Sequence, residues 1–152
     1  MRTNANITVY NQYTDSTTLE PKWQRTQIGT VGRFAIAWEN RKAVNVLRSG
    51  LREADSATIY IPLAEGANHL DPIAWLAAKS GKWTLQNGDL IVKGLVTDEI
   101  TDLIPAHDAV PAVPAFTVTM LKAKYDDVLT ITSVDPMMAG SQVMRHWRIG
   151  AQ

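Results

Sequence analysis

The sequence predicts an all-β, mainly antiparallel domain with one short helix near residues 71–79 and long loops near 40–56 and 101–115. Period-two alternation of apolar and polar residues dominates the chain, as in Ile7-Thr-Val-Tyr10 and Thr58-Ile-Tyr-Ile61. The same runs are rich in β-branched residues, which suit a pleated, half-buried surface. An Asn87-Gly88 pair between strand-like segments supplies a hairpin turn signal.

The elements follow in order. Ile7 and Val9 alternate with Thr8 and Tyr10 in the first strand. The long run Gln24–Trp38 contains Gly29 and Gly32, and glycine weakens a strand interior, so the run is expected to bend or bulge there. Asn40–Ser56 reads as a basic loop or a short induced helix, with Arg41, Lys42, Arg48 and Arg52 around an apolar interior of Val44, Val46, Leu47 and Leu51. Ile59 and Ile61 mark the next strand.

Asp71-Pro-Ile-Ala-Trp-Leu-Ala-Ala-Lys79 carries an Asp N-cap, Pro at the first helical position and a stop at Gly81. Ile73, Trp75 and Leu76 are its expected packing face. The Asn-Gly pair is expected to join Trp83–Leu85 to Asp89–Lys93 as a hairpin. Pro105, Pro111 and Pro114 exclude a regular interior element from Thr101–Ala115. Phe116–Leu121, Val128–Val134 and Val143–Ile149 then read as strands, the last two joined through a Pro/Gly turn. The Arg145-His-Trp-Arg148 segment lies on the last of them.

At 152 residues the chain has the common size of a single domain, read here as 1–152. Its hydrophobic fraction of 45% and charged fraction of 20% are ordinary for a folded soluble protein. The absence of cysteine excludes disulfides, thiolate zinc sites and cysteine nucleophiles. No cofactor is expected. Fifteen basic and fifteen acidic residues give zero net charge, which disfavours tight wrapping of duplex DNA, because affinity for DNA rests on neutralised phosphates. A protein that merely surrounds DNA escapes that objection. Neither an apolar signal core nor an apolar run long enough to span a membrane is visible, so the sequence predicts a soluble protein with no membrane partner.

Catalytic chemistry finds little support. His69, His107 and His146 are far apart and share no metal-ligand spacing. Asp126-Asp127 precedes a strand and suits turn capping. Nucleophile-elbow, phosphate-loop and zincin patterns are missing. Of the five tryptophans, Trp23, Trp38, Trp75 and Trp83 read as core anchors, whereas Trp147 between two arginines is open between core and interface. Arg145, His146, Trp147 and Arg148 are the candidate subunit or partner interface. Arg41, Lys42, Arg48 and Arg52 are the candidate contacts to a lumen, DNA or an adjacent ring.

Read together, Asn6-Ile-Thr-Val-Tyr-Asn11, Gln24-Arg-Thr-Gln-Ile28, Ala54–Pro62, Gly81–Gly94, Leu129–Val134 and Arg145–Gly150 form a distinctive order. That order resembles tailed-bacteriophage head-closure (stopper) and minor capsid, head-tail connector proteins. The two longer middle segments, 40–52 and 101–115, depart from the pattern. The resemblance implies a small β-barrel or sandwich, a virion structural protein forming a homo-oligomeric ring at the neck, with a hexamer favoured and a dodecamer possible. Portal and adaptor proteins would lie above, tail proteins below, and DNA in the lumen without sequence-specific contact. It implies assembly in the host cytoplasm and a final place in the virion. A tail terminator is the nearest alternative. A single-stranded nucleic-acid binder of OB type, stacking bases on Tyr10, Tyr60 and Trp147, and a small enzyme are more distant ones.

Overall fold

The structure, a computed structural model, describes residues 2–14, 16–17, 19, 21–47, 50–101 and 116–152; for 41–47 and 50–55 it describes the backbone alone. The elements are β1 (Ile7–Thr14), β2 (Pro21–Ile28), β3 (Ala37–Leu47), β4 (Gly50–Pro62), α1 (Pro72–Ala77), β5 (Leu90–Lys93), α2 (Val118–Lys124), β6 (Val128–Met137) and β7 (His146–Ala151). Short 3₁₀ turns at Leu63–Glu65 and Gln142–Met144 follow β4 and precede β7. Among the described residues the seven strands form one antiparallel sheet in the order β2-β1-β5-β6-β7-β4-β3. The all-β prediction stands.

The sheet curls until its ends meet. Just before β1, Ala5 bridges Ile36, the residue before β3. The Ala5 N–H donates to the Ile36 carbonyl at 3.1 Å, and the Ile36 N–H returns to the Ala5 carbonyl at 3.0 Å. Asn4 extends the seam with its side chain: Nδ2 donates to the Trp38 carbonyl at 3.0 Å, and Oδ1 accepts the Trp38 N–H at 2.7 Å. The seam joins the lead into β1 to the lead into β3 and curls the sheet into a barrel-like form, while among the described residues the end strand β2 pairs with β1 alone.

Alternation sorts the side chains into two layers. Ile7 and Val9 of β1, Ile59 and Ile61 of β4, Ile91 of β5, Ile131 of β6 and Ile149 of β7 fill the barrel together with Trp38, Trp83 and Trp147. The opposite faces of β1, β5 and β6 supply Tyr10, Leu90, Val92 and Val128, which pack under Leu121 of α2. The Thr8 hydroxyl holds this outer layer in place, accepting from the Val96 N–H and donating to the Gly94 carbonyl, both at 2.8 Å.

Several expectations need correction. The segment 40–56 is no loop over its described part: β3 and β4 run through it, with Lys42 opposite Asp55, Ala43 opposite Ala54 and Val46 opposite Leu51. Its basic residues obscure the strand alternation of Val44 and Val46. Phe116–Leu121 is not a strand either. Phe116 makes one bridge to Thr101, then the Thr117 hydroxyl accepts the Met120 N–H at 3.3 Å and caps α2. A Thr N-cap before Met, Leu, Lys and Ala outweighs the short alternation. Among the described residues there are thus two short α-helices, the one predicted and α2.

The Asn87-Gly88 turn exists, with Gly88 at φ +93°, but it closes no hairpin. Both edges of β5 are already taken by β1 and β6, and Trp83 instead makes a parallel bridge to His69. In α1, Trp75 alone is buried; Ile73 and Leu76 are 86% and 51% exposed, contrary to the expected packing face. The last strand begins at His146, because Gln142–Met144 winds into the 3₁₀ turn. The bend expected in Gln24–Trp38 is present, with Gly29 and Gly32 at φ +113° and +85°. A side chain at Gly29 would meet both that backbone conformation and the Asn6 amide. The proline-containing loop lies, apart from Thr101, outside the described residues, as does Arg48.

Candidate interaction surface

The four residues Arg145–Arg148 divide between the barrel interior and its rim. β7 is an inner strand of the sheet, flanked by β4 through Ile61–Trp147 and by β6 through Pro136–Trp147. Its backbone is thereby used within the chain. Trp147 points inward and is 7% exposed. Its indole lies 4.5 Å from the His69 ring, centroid to centroid, and 6.0 Å from Trp83. Burial holds the His69 imidazole below its usual pKa, with Asp71 opposing weakly. The uncertainty about Trp147 resolves to core.

The other three face outward. His146 Nδ1 lies 2.9 Å from the Met144 carbonyl, which can only accept, so this nitrogen carries the proton. The same ring meets Tyr60 edge-on at 5.6 Å. Arg145 holds the β6–β7 connection at both of its groups: Nε donates to the Gly140 carbonyl at 3.3 Å, and its carbonyl accepts the Leu63 N–H at 3.0 Å. Arg148 is exposed, opposite Asp135 of β6 and Tyr60 of β4.

Of the basic set, Arg41, Lys42 and Arg52 lie on β3 and β4 at register positions opposite Ser56, Asp55 and Asn45. β4 therefore connects the two candidate groups and also separates them. Its Tyr60 faces Arg148, while its Arg52 lies toward the other end, roughly 26 Å away at the strand rise. The fold does not bring the two sets together.

Beyond Ala57, where the β4–β7 ladder ends at Ala151, β3 and β4 continue as a two-stranded ribbon. Among the described residues, Lys42–Leu47 and Gly50–Asp55 pair with each other and with no other strand. At the opposite end of β4, past Pro62–His146 and Met137–His146, stands an apolar rim. Val143 is 85% exposed, Met144 67%, and Met137 and Met138 somewhat over a third. Sequence reasoning overlooked this rim, although Pro136-Met-Met-Ala-Gly-Ser141 signals a turn carrying two adjacent methionines.

The buried polar groups serve the scaffold. Asp89 accepts from Asn11 Nδ2 at 2.8 Å and from the Gln12 N–H at 3.0 Å, while the Asn11 amide also exchanges hydrogen bonds with the Thr84 backbone. Burial pushes the Asp89 carboxyl up to about 6 against these donors. Outside the barrel, Asp98 accepts from Lys124 Nζ at 2.8 Å and from the Tyr125 hydroxyl at 2.5 Å; these donors lower its pKa and tie α2 to the strand exit. Among the described residues no three His, Cys, Asp or Glu side chains gather as metal ligands, and no helix is long and apolar enough to cross a membrane.

Compared with known proteins, residues 2–152 match a family of unknown function, DUF6751. The chain belongs to that family. No curated protein and no solved structure matches this DUF6751 chain.

Proposed function

We propose that this DUF6751 protein is a structural component of a tailed-phage virion, forming a ring at the head-tail neck that retains packaged DNA and joins portal and adaptor to the tail. The observation that carries the reading is the curled, barrel-like antiparallel sheet extended by the β3–β4 ribbon beyond its last ladder. A barrel is a stiff building block, and a ribbon projecting from it reaches a neighbour without disturbing the core. The resemblance in strand order, from Asn6–Asn11 to Arg145–Gly150, supplies the neck assignment. Zero net charge suits a lumen through which DNA slides.

In this reading His146 and Arg148 on the outer face of β7, with Arg145 just before it, contact a neighbouring protein, and the basic ribbon residues face the lumen or an adjacent ring. Trp147 supports that surface from beneath. Protein mass spectrometry of purified phage particles carrying the gene tests the assignment. Recovery of the chain in ring-like copy number is expected, and its absence from the particle would overturn the reading. A head closure and a tail terminator differ by position in the particle.

A further inference from the structure

We infer that His69 is a pH-sensitive latch: when its ring gains a second proton, the short segment Gly66–Leu70 lifts from the indoles of Trp83 and Trp147 while the sheet stays intact. The inference does not depend on the neck assignment.

The segment runs from the 3₁₀ turn after β4 towards α1 and lies against Trp83 and Trp147, which are both buried. The His69 ring packs against the two of them, edge-on to Trp83 at 4.8 Å and tilted by 38° on Trp147 at 4.5 Å. Two backbone bonds tie it down, from the Leu70 N–H to the Trp83 carbonyl at 2.9 Å and from the Trp83 N–H to the Asn68 carbonyl at 3.0 Å. On either side the chain is anchored separately. Before the segment, the Leu63 N–H donates to the Arg145 carbonyl at 3.0 Å. After it, Trp75 of α1 is fully buried, and Gln24 Nε2 donates to the Lys79 and Lys82 carbonyls at 2.7 and 2.8 Å. A short span between two fixed points can open locally without unfolding α1 or the sheet.

His69 is the only titratable residue of Gly66-Ala-Asn-His-Leu70. Among the described residues neither of its ring nitrogens has a hydrogen-bond partner in the protein. A second ring N–H is therefore better served by water in the open form than by the indoles in the closed one. The charged groups on the surrounding elements leave that balance in place. Asp71, ahead of α1, favours the cation, but less than burial disfavours it. Lys82 brings positive charge to the same segment, its Nζ donating to Asn68 Oδ1 at 3.3 Å. On β7, His146 and Arg148 alternate with Trp147 and face the other side, while Arg145 donates to the Gly140 carbonyl. Glu65 of the 3₁₀ turn lines a pocket with Gly29, Thr30, Arg33 and Ala35.

Burial thus holds the imidazole below its usual pKa of 6.5. The open segment binds the proton more readily than the closed one, so closure is fully favoured above that pH and weakens as pH falls below it. Asp89 acts on the whole sheet in the opposite direction, and comparison with an amide of the sheet separates the two.

Nuclear magnetic resonance of the full chain tests the latch through the His69 ring titration and through the hydrogen-exchange protection of the Leu70 and Trp83 amides relative to Ile59. The ring is expected to titrate below the ordinary histidine value. Between about pH 7.5 and about pH 5 the relative protection is expected to fall at least about fivefold in the wild type. His69→Phe keeps a flat ring that cannot titrate, and its relative protection is expected to stay level. Asp71→Asn, at an exposed position, is expected to lower the His69 pKa further. A ring that titrates at or above the ordinary value would show the indoles holding the cation by their π faces, and would overturn the inference. So would Leu70 and Trp83 amides that follow Ile59 at every pH, or a His69→Phe chain that loses protection as the wild type does. Should His69→Phe fail to fold, Asp71→Asn decides, and a raised His69 pKa there would overturn the latch.

Discussion

Gly66 lies against the indole of Trp147 so closely that a β-carbon at that position would stand 2.4 Å from Cη2. The glycine follows the 3₁₀ turn after β4, and its φ of −93° is open to any residue, so space alone demands glycine here. Gly66→Ala is expected to lose about 1–3 kcal/mol through overpacking. Chemical denaturation followed by tryptophan fluorescence measures it; an unchanged midpoint would show that the segment shifts freely.

Trp147 itself is a core residue. Trp147→Ala is expected to cost about 3–5 kcal/mol, the range for emptying a large aromatic site. Loss of near-ultraviolet circular dichroism and a lowered Tm would bear this out. A variant as stable as wild type that fails only to assemble would return the residue to the interface.

Asp89 gives the barrel a pH dependence. Its folded pKa of about 6 stands above the ordinary 3.8, so the folded state holds this proton more tightly than the unfolded chain. The associated stability is fully present below about pH 4, falls as pH rises to about 6 and is level above, a change of roughly 1–3 kcal/mol. Urea midpoints across that window are expected to fall in the wild type and to stay flatter in Asp89→Asn. Parallel profiles would contradict the assignment.

The seam depends on Asn4, whose amide stands in for a strand residue opposite Trp38. Asn4→Ala leaves the Trp38 N–H and carbonyl without these partners and is expected to cost about 1–3 kcal/mol. Faster hydrogen exchange at the Trp38 amide, with exchange at Ile59 unchanged, would mark a local opening. No change at Trp38 would show that the seam holds without the side chain.

Much of the fold was legible because alternation reports directly on a half-buried sheet: Ile7 and Val9, Ile59 and Ile61, and Leu129 and Ile131 all point into the barrel as their spacing implies. What the sequence hid was decided by competition between elements. Trp83–Leu85 had a turn beside it but no free edge on β5 to join. Phe116–Leu121 alternated like a strand, yet Thr117 caps a helix and Leu121 is needed over Tyr10 and Val92. The basic residues of 40–56 suggested a loop, whereas charge is no obstacle to a ribbon with water beside it.

The candidate surface was legible only by halves. His146 and Arg148 do reach the outer face of β7, but alternation alone could not say that Trp147 closes on His69 and Trp83, contacts distant in sequence. The seam was invisible for the same reason, since Ala5 and Ile36 carry no mark of meeting each other. The apolar rim stood in plain view at Met137-Met138, obscured by reading the turn for its proline and glycine.

Electron cryomicroscopy of the intact head-tail neck tests the central claim most directly. The account predicts a closed ring of seven-stranded barrels between portal and tail, each with Trp147 inside and its β3–β4 ribbon toward the lumen or an adjacent ring. A neck reconstructed in full without this barrel would contradict it.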